Sequence, residues 1–260
     1  MINSLWISKT GMEAQQMQLD VISHNLANVS TTGYKRENAV FEDLMYQNLR
    51  QVGSNTSDQS QLPTGLHLGL GVRVVATSRT FSQGTIQQTS NNLDVAIQGN
   101  GFFQITLPDG TINYTRDGAF QIDATGRLVT AAGLPVANGI TVPAGAKSIS
   151  IAADGTVTAN VAGNTAPQPI GTIALATFIN PAGLEPQGQN LFAESVASGQ
   201  ASTGVPGTNG LGKVTQGFLE ASNVNVVQEL ITMIQTQRAY EMNSKAIQTS
   251  DQMLQKLGQL

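Results

Sequence analysis

Both ends of this chain carry apolar residues at seven-residue spacing, and the middle does not. Near the start, Leu5, Met12, Leu19 and Leu26 fall seven apart, and Ile22 and Val29 add the second heptad position. Near the end, Val226, Met233, Tyr240, Ile247 and Leu254 repeat the spacing, with Leu230 among them and a small-residue row at Ala239 and Ala246 beside them. Residues 3–29 hold no proline and one glycine, Gly11, and residues 218–257 hold neither. A sustained heptad predicts helices that seek an apolar partner, each about 40–50 Å long at ~1.5 Å per residue. Gln15, Gln237, Ser244 and Asp251 interrupt the seams, so neither helix is self-sufficient. The other end of the same chain is the first candidate partner. An ordinary helical hairpin capping a globular domain is the plainer alternative, but 196 residues lie between Val29 and Val226.

Those intervening residues read as β structure. Turn signals recur at Asp109-Gly110, Asp117-Gly118, Thr125-Gly126, Asn138-Gly139 and Asp154-Gly155. Short runs of strand character lie among them at 102–106, 119–123, 128–130, 148–152, 156–161 and 170–179. This spacing predicts a sandwich or barrel-like β domain. Seven of the eight phenylalanines fall between positions 81 and 218, which places the aromatic core there. Segments 47–65 and 196–212 read as solvent loops from their polar and Gly-rich composition. The expected fold class is α+β, with a coiled-coil-like axial domain of residues 1–30 and 226–260. A connector of 31–80, with an insertion at 46–63, leads to a β domain of 81–225.

Composition narrows the chemistry. Charged residues make up 12% of the chain, about half the usual share. Cysteine is absent and only two histidines, His24 and His67, occur, which excludes disulfides and cysteine metal sites. The net charge of −4 resides wholly in residues 81–226, which hold four basic and eight acidic side chains. That balance argues against nucleic acid, and no apolar run is long enough to span a bilayer as a helix. The N-terminus lacks the pattern of a cleaved secretion signal, so the expectation is a cytosolic protein or one exported without cleavage. No catalytic constellation surrounds either histidine. The pairs Gly69/Gly71 and Gly99/Gly101 read as tight turns, since neither continues into a nucleotide fingerprint. Asp109, Asp117, Asp123 and Asp154 read as turn residues, because their spacing is not that of a calcium loop. No enzyme activity, cofactor or metal is expected.

The most specific strings flank the two helices. Asn25, Leu26, Ala27, Asn28, Thr32, Gly33, Tyr34 and Lys35 form a helix stop, in which Asn28 and Gly33 suit the left-handed conformation. At the other end, Glu220 and Ala221 precede Ser222, Asn223, Val224 and Asn225, and Arg238, Ala239 and Tyr240 follow within the helix. Ser222 and Asn223 suit N-capping, and Glu229 suits the first turns. A third string runs from Asp94 to Phe103 and on through Tyr114, Thr115, Arg116, Asp117 and Gly118.

Together these strings resemble the signatures of the bacterial flagellar axial proteins, the rod, hook and hook-junction family. The resemblance runs over essentially the whole chain. It implies a self-assembling tubular shaft that carries torque and through which export substrates pass. Length and the segment 46–63, with Tyr46, Gln47, Ser54, Asp58 and Pro63, resemble the distal rod branch, where this insertion stiffens the shaft. The proximal rod branch is the near alternative and the longer hook branch a weaker match. The implied partners are further copies of the chain, proximal rod proteins, hook protein, the P-ring and L-ring as a bushing, and the type III export apparatus. The implied location is the basal body, from the periplasm to the outer membrane. Within a subunit the Leu5 row is expected to meet the Val226 row, leaving other faces for neighbours. A cell-wall hydrolase and an adhesin with a helical stalk are remote alternatives.

Overall fold

A computed structural model of the chain describes residues 2–51, 55–57, 60–61, 64–161 and 166–258. Two compact units emerge. One comprises residues 1–26, 37–78 and 225–260; the other comprises 27–36 and 79–224.

The first unit contains both long helices, α1 (Ile2–Ala27) and α2 (Val226–Leu257). Asn225 caps α2, accepting from the backbone N–H groups of Val227 at 3.1 Å and Gln228 at 3.3 Å. The cap thus falls later than Ser222 and Asn223, whose side chains are engaged elsewhere. Glu229 lies in the first turn and Lys256 in the last, each with the sign that the helix dipole favours. Beside the helices run two-stranded ribbons. Glu37–Asp43 pairs with Val72–Arg79, and Tyr46–Arg50 pairs antiparallel with Leu66–Gly69. Asn55–Ser57 pairs with Ser60–Gln61. The described parts of segment 47–65 are therefore mostly ribbon rather than loop. Its sequence lacks period-two alternation because neither face of Tyr46–Arg50 is buried, so nothing selects apolar residues at every second position.

Both of the longer ribbons hydrogen-bond to α1. Asn3 Nδ2 donates to Gln47 Oε1 at 3.5 Å, and Thr10 Oγ1 accepts from the Val72 N–H at 3.4 Å. α2 approaches α1 at Gly11, where a Cβ would fall 2.9 Å from Asn243 Nδ2. The single glycine of α1 thus makes room for a side chain from α2.

Among the described residues the regular structure of the second unit is β, apart from one short 3-10 turn at Pro181–Gly183. Six antiparallel strands order as Glu185–Gly188, Leu191–Ala193, Ile112–Thr115, Phe102–Thr106, Leu175–Thr177 and Ser202–Gly204. Both faces of this sheet are covered. Phe103, Ile105, Leu175 and Leu191 join one apolar cluster, while Phe102, Tyr114, Ala176 and Phe192 join the other. Successive strand residues point to opposite faces, which is why apolar neighbours such as Phe102-Phe103 and Leu191-Phe192 occur.

A three-stranded sheet of Ala146–Ile151, Thr156–Val161 and Gln168–Thr172 supplies Ile151 and Val157 to the first cluster. The expected strand at 170–179 is two strands. Thr172 pairs with Thr156 in one sheet and Leu175 with Phe103 in the other. The chain changes sheets at buried Ile173, as strands do at the corners of packed sheets. Segment 196–212 likewise contains the edge strand Ser202–Gly204.

Asp109, Asp123 and Asp154 each accept, through Oδ1, the backbone N–H two residues on, at 3.0, 2.9 and 3.0 Å. These are Asx turns. Among the described residues no group of three or more His, Asp or Glu is placed to hold a metal, and no helix is long and apolar enough to cross a membrane.

Candidate functional site

The helix stop after α1 is a set of hydrogen bonds. Asn25 Nδ2 donates to the Glu37 carbonyl at 2.8 Å, and Asn25 Oδ1 accepts the Glu37 N–H at 2.9 Å. This buried amide mimics a strand partner and fixes where Glu37–Asp43 begins. His24 Nδ1 lies 3.6 Å from Glu37 Oε2. Asn28 does not adopt the left-handed conformation expected of it, since its φ is not positive. Its Oδ1 instead accepts from Thr31 Oγ1 at 3.1 Å, and its carbonyl accepts the Thr31 N–H. The reversal falls on Gly33, at φ +69°, where a Cβ would lie 2.7 Å from the Arg116 carbonyl carbon. Only glycine combines that φ with so close an approach. Thr32 is half-buried and its carbonyl accepts from Asn190 Nδ2 at 3.2 Å. Tyr34 is buried, with the Arg79 guanidinium 5.9 Å from its ring centre.

Residues 33–36 then meet the other two motifs. Lys35 has no exposed side-chain surface, and its Nζ donates to Glu220 Oε1 at 2.6 Å and to the Ser82 carbonyl at 2.8 Å. Arg116 Nη1 donates to Glu220 Oε2 at 3.2 Å, and Nη2 to the Gly99 carbonyl at 2.8 Å. The Glu220 carboxylate also accepts the Gly84 N–H, and its carbonyl accepts the Gly33 N–H at 2.8 Å. Asn223 Oδ1 accepts the Arg36 N–H at 2.7 Å, while its Nδ2 donates to the Thr80 and Ser82 carbonyls. Ser222 Oγ accepts from buried Val224. Asp117-Gly118 closes the third motif, where a Cβ on Gly118 would collide with the Val95 carbonyl.

Three strings spread over nearly 190 positions therefore converge on one dry ion triad, Lys35–Glu220–Arg116. Burial pulls the Lys35 ammonium and the Arg116 guanidinium below their ordinary values, while Glu220 opposes it in both. Removing Glu220 would strand two buried cations, at a cost of about 3–5 kcal/mol. All three residues lie within the motifs, yet nothing in the sequence pairs them. The available signal was a charged residue in each of three motifs of a charge-poor chain.

The assembly residues expected on the helices are distributed differently from the heptad reading. On α1, Ile22 is buried, but Leu5, Met12, Leu19 and Leu26 are only half-buried. Burial is deepest at Ala14, Val21, Ile22 and Asn25, on rows offset from that of Leu5. Val29, beyond the helix, is half-buried. On α2 the departure is larger. Val226, Leu230, Tyr240 and Leu254 are exposed, and Met233, Ala239 and Ile247 are half-buried. The residues α2 does bury are Glu229 and Thr236, the latter donating to the Thr232 carbonyl at 2.8 Å. Val227, Ile231, Ile234, Met242 and Met253 are exposed as well. Within one chain α2 buries little of itself, its exposed apolar residues standing beside exposed Gln, Glu and Lys without the buried apolar stripe of an ordinary amphipathic helix. Ala27 and Arg238 are exposed.

Of the expected stiffening residues, Tyr46 and Gln47 begin a ribbon strand, Tyr46 pairing with Gly69 and donating its hydroxyl to Asp43 Oδ2 at 2.8 Å. Ser54, Asp58 and Pro63 lie outside the described residues. Met45, Tyr46, Leu49 and Leu66 are exposed apolar groups on or beside this ribbon.

The exposed apolar residues of α2 are thus left uncovered within the single chain. Sequence comparison gives the family. Residues 6–35 match the family described as flagella basal body rod protein, 96–159 the flagellar hook protein FlgE/F/G D1 domain, and 215–260 the flagellar basal body rod FlgEFG protein C-terminal region. Over 260 residues, covering all of both chains, it is 56% identical to flagellar basal-body rod protein FlgG of Buchnera aphidicola subsp. Acyrthosiphon pisum. It is 47% identical over 256 residues to FlgG of Borreliella burgdorferi, covering 98% of this chain and 97% of the relative. It is 41% identical over 263 residues to FlgG of Bacillus subtilis, covering 99% and 98%. The chain belongs to the FlgG family of flagellar basal-body rod proteins.

Proposed function

We propose that this chain is the structural subunit of the flagellar distal rod, polymerising into a rigid helical tube that carries torque from motor to hook and conducts export substrates. The observation that supports this reading is the exposed apolar residues of α2, densest at Val226, Val227, Leu230, Ile231 and Ile234. Exposed rows of this kind mark surfaces that another chain covers, and helical polymers cover them by heterologous contact between copies. Its partners on this reading are further copies, proximal rod proteins below and hook protein above. The P-ring and L-ring surround it, and the type III export apparatus delivers it. Its place is the basal body, from the periplasm to the outer membrane. Electron microscopy of cells lacking the protein tests the reading: rod, hook and filament are lost distally. Intact flagella reject it.

The proximal rod and hook subunits are the alternatives within the same axial structure. The paired strands Tyr46–Arg50 and Leu66–Gly69 support the distal rod, since exposed Tyr46, Leu49 and Leu66 offer apolar side chains that could fill space between subunits. Deleting residues 54–61 is expected to change shaft stiffness or curvature, and an unaltered straight rod refutes that role.

A further inference from the structure

We propose that Asn223 is a positioning residue that ties three separate connectors into one cooperative joint. The chain crosses between the two units after residues 26, 36, 78 and 224. Hinges form at such crossings, because a few residues there can absorb changes of φ and ψ. Asn223 bonds backbone beside two of them and lies beside a third. Its Oδ1 accepts the Arg36 N–H at 2.7 Å. Its Nδ2 donates to the Thr80 carbonyl at 2.8 Å, the Ser82 carbonyl at 3.2 Å and Ser82 Oγ at 3.0 Å. With an N–H on one side and carbonyls on the other, only one orientation of the amide satisfies both. The Thr80 N–H donates to the Arg36 carbonyl at 2.9 Å, so the inner ends of the paired strands Glu37–Asp43 and Val72–Arg79 meet at the same place. Asn225, the α2 cap, follows two residues later.

The amide is coupled to the ion triad through one acceptor. The Ser82 carbonyl takes Asn223 Nδ2 and also Lys35 Nζ, the latter at 2.8 Å. Glu220, the partner of Lys35, accepts the Gly33 N–H on its carbonyl and the Gly84 N–H on its carboxylate. The Ala221 N–H donates to the Thr85 carbonyl at 2.9 Å. Connectors 33–36, 80–85 and 220–223 therefore hold one another through shared partners, and shared partners make opening collective. Asn suits this position because one short side chain supplies both an acceptor and a donor. An ionised Asp lacks the donor, and Ser cannot reach both sides. On the proposed role in a shaft, on which this step rests, a collective joint keeps the crossings from absorbing twist.

Hydrogen exchange of the full, unpolymerised chain is the test. In wild type the amides of Gly33, Arg36, Thr80, Gly84 and Ala221 are expected to share one opening equilibrium, seen as a common response to added urea. Asn223→Ala should speed all of them by about tenfold. Acceleration of Arg36 alone overturns the proposal, since Asn223 then serves only its own partner. Gln216→Ala is the control. That amide accepts the Ile151 N–H and donates to the Asn92 and Ile149 carbonyls, so its loss should speed Ile151 and leave the joint unchanged. Acceleration of the joint in both variants also overturns the proposal, because any loss of stability then suffices. Should Asn223→Ala not fold, Asn223→Ser takes its place with the same expectations. The measurement needs no polymer, so it decides the joint independently of the shaft, which the cells lacking the protein decide separately.

Discussion

The helical unit and the β unit solve the same problem in opposite ways. The β unit buries its apolar residues on both faces of its sheet, and it pairs its charges inside. The helical unit leaves Val226, Leu230, Ile231 and Ile234 exposed and buries Glu229 and Thr236 instead. One region buries its apolar residues as a single chain; the other leaves many exposed. On the proposed function, folding and assembly fall to different stretches of one sequence.

The largest expected effect comes from breaking the helical side alone. Met233→Pro removes a helix hydrogen bond and wedges a ring into the preceding turn, costing about 3 kcal/mol or more locally. Rod assembly should be abolished, while near-ultraviolet circular dichroism and urea unfolding of the β unit stay unchanged. Ile231→Asp should do the same without touching the backbone, because Ile231 is exposed in the single chain. Normal assembly by both variants would break the contrast. The same logic predicts that α2 amides exchange rapidly in dilute protein and are protected in the polymer. Protection of α2 in dilute monomer would show that the helix is already complete.

Next in size is the ion triad. Glu220→Ala strands Lys35 and Arg116 without a counter-charge and should destabilise the β unit by about 3–5 kcal/mol, read as a fall in its urea midpoint. Lys35→Met should cost far less, since a one-to-one pair survives. Equal losses would mean that shape rather than charge holds the junction. Smaller again is Asn25→Ala, which removes both side-chain hydrogen bonds to the half-buried Glu37 backbone. A loss of about 1–3 kcal/mol is expected, confined to the amides of 25–43 in hydrogen exchange.

The same division explains what could be read from the sequence. The strands Phe102–Thr106, Leu128–Thr130 and Thr156–Val161 were legible to the residue, because tight turns bound them and a core selects their side chains. The helices were legible as helices, since nothing in 218–257 breaks one. Their buried faces were not, because a heptad marks where apolar residues lie and not which chain covers them. Tyr46–Arg50 was illegible for want of a buried face. The triad was hidden for another reason: Lys35, Arg116 and Glu220 come together only through tertiary folding, and no local pattern encodes a pair 185 positions apart.

The smallest expected effects separate two kinds of aspartate within the β unit. Hydrogen bonds from Thr111 hold Asp109 below the ordinary carboxyl value of 3.8, and the backbone N–H groups of Thr125 and Thr156 do so for Asp123 and Asp154. Each favours the folded state most when ionised. The stability they contribute is present above pH 3.8 and is lost as pH falls through the lower folded value. Asp117 behaves oppositely, for burial raises its carboxyl above 3.8. Its folded form holds the proton longer than the unfolded chain, so stability declines as pH rises from 3.8 through the raised value. Asp123→Asn should therefore flatten the unfolding midpoint only below pH 3.8, and Asp117→Asn only above it. Urea midpoints taken every half unit from pH 2.5 to 6 check this, and a change in the same window for both variants would show that turn and core carboxylates are not distinct.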